Sequence, residues 1–231
     1  MSSIIKVGKV QSSTGQDAVT VADSGAITAS GGIANAGTIT AGTLGSSVVV
    51  PASVGSSLVL LESYTANNNS SKDFDLSAYT TYNEYRFSLV QLGPISNGGD
   101  LQVFLGTNSS TFHSSANNYR VGIRRWYYGG SGTTFTSVDN SVNTMIMHAS
   151  SVSYELGRGV FGFFSLYKPR DSGSRTGVTI HTGSYTSNDN AYIYTGAGFR
   201  MNDEDNTHIR FEFHNGNLKD GQINLYGVKN A

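Results

Sequence analysis

From Leu58 to the end, apolar and polar residues alternate in short runs with the period of two that marks half-buried strands. The clearest run is Ile209-Arg210-Phe211-Glu212-Phe213-His214, with apolar side chains on one face and polar ones on the other. Residues 85–89, 101–103 and 222–225 alternate in the same way, and residues 119–128, 144–148, 160–167, 178–182 and 191–195 predict further strands. Turn signals punctuate them: Asn97-Gly98-Gly99-Asp100, Gly129-Gly130-Ser131-Gly132, Asn215-Gly216 and Asp220-Gly221. No segment carries a helical apolar stripe. Roughly ten short antiparallel strands predict an all-β head over residues 58–231, a β-sandwich of jelly-roll type.

Residues 1–57 read differently. No aromatic residue precedes Tyr64, and the only charges before Glu62 are Lys6, Lys9, Asp17 and Asp23. Larger aliphatics recur at Ile27, Ile33, Ile39 and Leu44, roughly every five or six positions, with glycines at 25, 32, 37 and 42. Gly, Thr and β-branched residues dominate, so a helix is disfavoured. One reading is a flexible linker. The other is an extended arm or intertwined β shaft, in which several identical chains bury the spaced aliphatics that one copy leaves uncovered. On the second reading Ile27, Ile33, Ile39 and Leu44 are oligomerisation residues.

Composition narrows the function. The hydrophobic fraction of 38% and aromatic fraction of 11% supply a core, while charged residues make up 13% and the net charge is -1. That balance argues against nucleic acid and against a polybasic membrane surface as partners. Cysteine is absent, which removes disulfides and thiolate metal sites. The first ten residues lack the apolar core of a signal peptide, and no run approaches the ~20 apolar residues of a membrane-spanning helix. The expectation is a soluble protein that does not use the usual export route.

Motifs for chemistry are weak. Gly157-Arg158-Gly159-Val160-Phe161-Gly162 has the spacing of a dinucleotide loop, but strand-like Phe163-Phe164-Ser165-Leu166-Tyr167 follows where a helix would have to start. The glycines are expected to mark a bulge or a close backbone approach. The histidines, at 113, 148, 181, 208 and 214, form no local pair, and solvated or hydrogen-bonded roles are expected. Residues 202–206 form one dense acidic cluster without the spacing of an EF-hand, read as a solvated loop. Catalytic residues, metal and cofactor are predicted as none, and the chain is read as not an enzyme. The remaining candidate is Arg124-Arg125-Trp126-Tyr127-Tyr128, beside a glycine-rich turn. Aromatic faces next to guanidinium groups suit stacking on sugar rings and hydrogen bonds to their hydroxyls or carboxylates. The plainer alternative makes Trp126 a core or subunit-interface aromatic.

GTITAGTLGSSVVVP (residues 37–51) resembles the segment before the distal domain in fibre proteins of tailed bacteriophages, especially marine ones. SKDFDLSAYTTYNEYRFSLVQLGP (71–94) is similar to the usual opening of their heads, DLQVFLG (100–106) to the next strand, and GQINLYGVK (221–229) to their C-terminal strand. Residues 106–205 carry no such likeness. The resemblance implies a virion structural protein, commonly a homotrimer, joined through its N-terminal arm to other tail proteins. Its head would contact a host-surface glycan or protein, with no membrane insertion. Two alternatives are an architectural adaptor or decoration protein of the virion and, less favoured, a polysaccharide-degrading tail enzyme.

Overall fold

A computed structural model describes residues 9–11, 17–21, 27–29, 57–115, 117–129, 132–142, 145–186, 188 and 190–229. The chain divides into two compact units, Met1–Val50 and Pro51–Ala231. In the first, β1 (Lys9–Gln11), β2 (Asp17–Val21) and β3 (Ile27–Ala29) form an antiparallel meander in the order β1-β2-β3. These strands were not foreseen in the arm. Ile27 opens β3, while Ile33, Ile39 and Leu44 lie outside the described residues.

The second unit is an all-β sandwich. Its strands are β4 (Leu58–Thr65), β5 (Ser71–Asp75), β6 (Glu84–Pro94), β7 (Gly99–Asn108), β8 (Thr111–Phe112), β9 (Tyr119–Gly129), β10 (Gly132–Val142), β11 (Met145–Val152), β12 (Val160–Tyr167), β13 (Gly177–Tyr185), β14 (Ala191–Arg200), β15 (His208–Phe213) and β16 (Leu218–Val228). One sheet has eight strands in the order β10-β9-β14-β13-β12-β6-β16-β4, and the other runs β11-β7-β15-β5 with β8 paired to β7. All the pairings are antiparallel. Among the described residues the only helical element is a short 3-10 turn, Leu76–Ala78, capped by the Asp75 carboxylate accepting from the Ser77 N–H at 2.8 Å.

Alternation decides which side chains meet between the sheets. On the larger sheet Tyr85, Phe87, Phe164, Leu166, Ile180, Ile223 and Leu225 point inward and are fully covered. Leu101, Val103, Leu105, Ile209 and Phe211 cover them from the smaller sheet. At the centre Phe87 meets Phe74 at 5.3 Å, Phe211 at 5.1 Å and Phe164 at 5.8 Å between ring centroids. Phe87 and Phe164 belong to one sheet, Phe74 and Phe211 to the other.

Three neighbouring strands are irregular at one level, and this explains the G-x-G-x-x-G spacing. β6 carries Gln91 at φ +50°, flanked by register shifts toward both β12 and β16. A Cβ on Gly159 would lie 2.4 Å from the Gln91 carbonyl, and one on Gly221 equally close. Gly162, at φ +120°, would place a Cβ 2.2 Å from the His181 carbonyl oxygen. Gly159 and Gly162 therefore serve a bulge and close backbone approaches, as the strand-like sequence after them predicts, while Gly157, at φ +83°, has open space where a Cβ would be. Asp220-Gly221, by contrast, is no turn. It lies inside β16, where the positive φ of Gly221 forms part of the bulge.

Replacing Phe87 by Ala empties the centre of this cluster. Denaturant unfolding should show a loss of ~3–5 kcal/mol. Gly162→Ala should also destabilise strongly, by ~2–4 kcal/mol from strain and overlap.

Candidate functional site

β9 alternates cleanly at first: Tyr119, Val121 and Ile123 are buried, and Arg120, Gly122 and Arg124 are exposed. Farther along, residues 125–127 become half-buried, and Tyr128 is 68% exposed. Register places Trp126 beside Ile193 and Tyr128 beside Ala191 on β14. Together with Tyr127, these residues line an open depression of about 460 Å³. Ile193 is itself 54% exposed, and among the described residues the lining is apolar and holds no carboxylate.

The five residues singled out in the sequence thus divide between two faces. Trp126 and Tyr128 share the outer face with Arg124, and Trp126 is half-buried at that surface rather than enclosed in the core. Arg125 alternates with them, and its guanidinium lies 5.6 Å from the Tyr192 ring. The Tyr127 ring packs against Tyr192 at 4.8 Å. Arg124 and Arg125 are not part of the lining. Ala191 and Ile193 escaped sequence reasoning, because a strand pattern carries no information about which distant strand it will pair with.

A second polar cluster lies around the buried end of β14. Arg200 is 1% exposed. It donates to the Asn118 backbone oxygen at 2.9 Å, to Asn118 Oδ1 at 3.0 Å and to Glu204 Oε2 at 3.2 Å. His113 Nε2 stands 3.0 Å from the same carboxylate oxygen, without hydrogen-bond alignment. Tyr119 receives the Leu105 N–H and donates to the His113 carbonyl, and burial pushes its phenol up to about 12. Burial first, and Arg200 second, hold the His113 imidazole below its ordinary value. Hydrogen bonds from Asn202 and Arg200, with the charges of His113 and Arg200, outweigh burial and hold Glu204 below the usual carboxylate range.

The acids of loop 202–206 are all engaged by basic groups: Asp203 with Arg175 at 3.6 Å, Glu204 with Arg200, and Asp205 with Arg170 at 3.3 Å. The loop is a salt-bridged seam more than a freely solvated one. Among the described residues, no three His, Asp or Glu side chains are grouped as a metal site. His181 bonds Thr195 Oγ1 at 3.0 Å and packs on the Phe163 ring at 4.9 Å, and His208 lies 2.8 Å from Thr207 Oγ1. The side chain of His148 lies outside the described residues.

No family model matches the sequence, and no curated protein matches it. A solved structure of the Bacteroides ovatus mixed linkage glucan PUL GH16, in complex with its product, is similar over 71% of this chain and 77% of its own. Its sequence identity is 13% and its TM-score 0.18, a likeness too slight to carry any argument about activity.

The buried cluster predicts acid sensitivity. A histidine whose folded pKa is depressed binds its proton more readily in the unfolded chain, so stability falls as pH drops below about 6.5. The depressed Glu204 adds a further loss at lower pH, as it titrates through its folded pKa. The raised Tyr119 acts oppositely, removing stability as pH rises from about 10 toward its folded value. Thermal unfolding across pH 5–8 should show this slope for the parent chain. His113→Gln should flatten it, and an unchanged slope would rule His113 out as its source.

Proposed function

We infer that this chain is a structural virion protein, a short homotrimeric tail fibre of a tailed bacteriophage. Its sandwich head contacts a host-surface glycan, and its N-terminal unit joins copies of the chain to the particle. The observation that carries the glycan reading is the open aromatic depression of Trp126, Tyr127 and Tyr128 at the end of β9. Aromatic rings with exposed faces and polar tips are suited to stacking on sugars while staying soluble. The fibre reading is supported by the residues shared with phage fibre heads and by the spaced aliphatics of the arm. Such a head works by repetition: several weak sites on one shaft raise avidity without one tight site. No bond-breaking chemistry is assigned to it.

Light scattering of the full chain should give the mass of a trimer, and a version starting at Leu58 should be smaller. A monomer in both cases would remove the fibre reading. On an array of bacterial surface glycans, the full chain should bind at least one class. Trp126→Ala should weaken that binding about tenfold, or ~1.4 kcal/mol, with little change in melting temperature. Binding indifferent to Trp126 would remove the depression from the function.

A further inference from the structure

Two asparagines in the chain precede a glycine, Asn97-Gly98 and Asn215-Gly216, and both pairs lie between strands of the head. An asparagine in this position carries a latent reaction. The glycine nitrogen can attack the side-chain carbonyl carbon of the asparagine, because glycine has no Cβ to crowd the approach and its backbone adapts easily. The attack requires the carboxamide to swing over that nitrogen. In reactions of this internal kind a misplacement of about 1 Å can cost ~10²-fold in rate. What holds the two partners therefore decides whether a pair reacts.

Asn97 is held. Its Oδ1 accepts from the Tyr154 N–H at 3.1 Å, and the Gly98 N–H donates to the Val152 carbonyl at 3.4 Å. Both reacting groups are thus tied to the end of β11 and the residues after it. Asn215 is different. Among the described residues, neither its carboxamide nor the Gly216 N–H makes a hydrogen bond, and both residues are exposed. The chain on either side is fixed, with the His214 N–H donating to the Asp100 carbonyl at 2.9 Å and the Asn217 carbonyl accepting from the Ile95 N–H at 3.0 Å. Asn217 is itself anchored, donating through Nδ2 to the Asn68 carbonyl at 3.0 Å and to Asn68 Oδ1 at 3.1 Å. The free pair lies in the connection from β15 to β16, where the chain crosses from the smaller sheet to the larger.

We propose that Asn215 is a site of spontaneous deamidation in the folded protein, while Asn97 is protected by its hydrogen bonds. Solvent base takes the Gly216 N–H proton, the nitrogen bonds to Asn215 Cγ, and the Cγ–Nδ2 bond breaks. Ammonia leaves with the proton returned to it, and a succinimide ring remains. Water opens that ring. Attack at Cγ gives aspartate, and attack at the backbone carbonyl carbon gives isoaspartate, with the chain now running through the former side chain. Either product adds a carboxylate to the turn, and the second lengthens the crossing between the sheets by one methylene. The proposal is independent of the glycan reading.

The full-length protein is incubated in mildly alkaline buffer, folded or unfolded in urea, then digested with trypsin and followed by mass spectrometry with peptide fragmentation. Phe211–Lys219 reports Asn215 and Asn217, and Phe87–Arg120 reports Asn97. In the folded protein Asn215 should convert at least about tenfold faster than Asn97. Asn217 should stay an amide. In urea the two Asn-Gly pairs should convert at similar rates, because their hydrogen bonds are gone and only the glycine neighbour is left to set the pace. Part of the Asn215 product should accept a methyl group from S-adenosylmethionine with an isoaspartate methyltransferase.

The folded and unfolded arms need no variant, so the folding of a substituted chain does not enter the comparison. Asn97 keeping pace with Asn215 in the folded protein overturns the proposal. So does an Asn215 that converts only in urea. With Asn215→Gln the mass shift should vanish from Phe211–Lys219, and a shift that persists there assigns the reaction to Asn217 and overturns it too.

Discussion

The sandwich depends on one contact between its layers, the meeting of Phe87 and Phe164 from one sheet with Phe74 and Phe211 from the other. Ring centroids 5.1–6.2 Å apart, all edge to face or tilted, put these four side chains in the geometry that aromatic quadrupoles favour. Each ring is fully buried, so each also contributes a large apolar area removed from water. Register follows from this contact. A slip of one residue in β6 or β15 would turn these rings to solvent and bring Arg86 or Arg210 inward.

The same alternation separates two tasks along a single strand. In β9, Tyr119, Val121 and Ile123 fill the core while Arg120, Gly122 and Arg124 face outward. In β12, Phe164 and Leu166 are enclosed and Phe161 and Phe163 are exposed. Gly183 lies under the Phe161 ring, whose Cζ stands 2.7 Å from where a Cβ would be. The outer face is thus shaped by which residues are small as much as by which are large. The bulge at Gln91, set between Gly159 and Gly221, interrupts the ladders of β12, β6 and β16 at one level and increases their local twist.

Strand periodicity made most of the head legible. β15 and β12 lie almost where their alternation and flanking turns predict, and the cofactor-like glycines were recognisable as backbone features because strand residues follow them. Three kinds of element were not legible. β10, Gly-Thr-Thr-Phe-Thr-Ser-Val-Asp-Asn-Ser-Val, is polar and lies at a sheet edge, so little apolar alternation marks it. The turn expected at Asp220-Gly221 became a bulge because its neighbour, the irregular β6, cannot be seen locally. The buried cluster joins Arg200, Glu204, His113 and Tyr119 from separate elements, and no short motif announces it. The candidate site was half legible: Trp126, Tyr127 and Tyr128 stand together in the chain, but Ala191 and Ile193 reach them only through pairing.

The openness of Gly122 has a further consequence, for change over generations. Most positions in a sandwich this tightly packed punish substitution, since a new side chain must displace a neighbour. Among the described residues, a side chain added at Gly122, in the middle of a long strand, would meet the Ala197 carbonyl oxygen at 4.0 Å and no closer atom. Variation at that point would alter the shape and charge of the outer face while the Phe87 cluster stayed intact. Such a surface can change by single steps, without each trial also being a trial of folding.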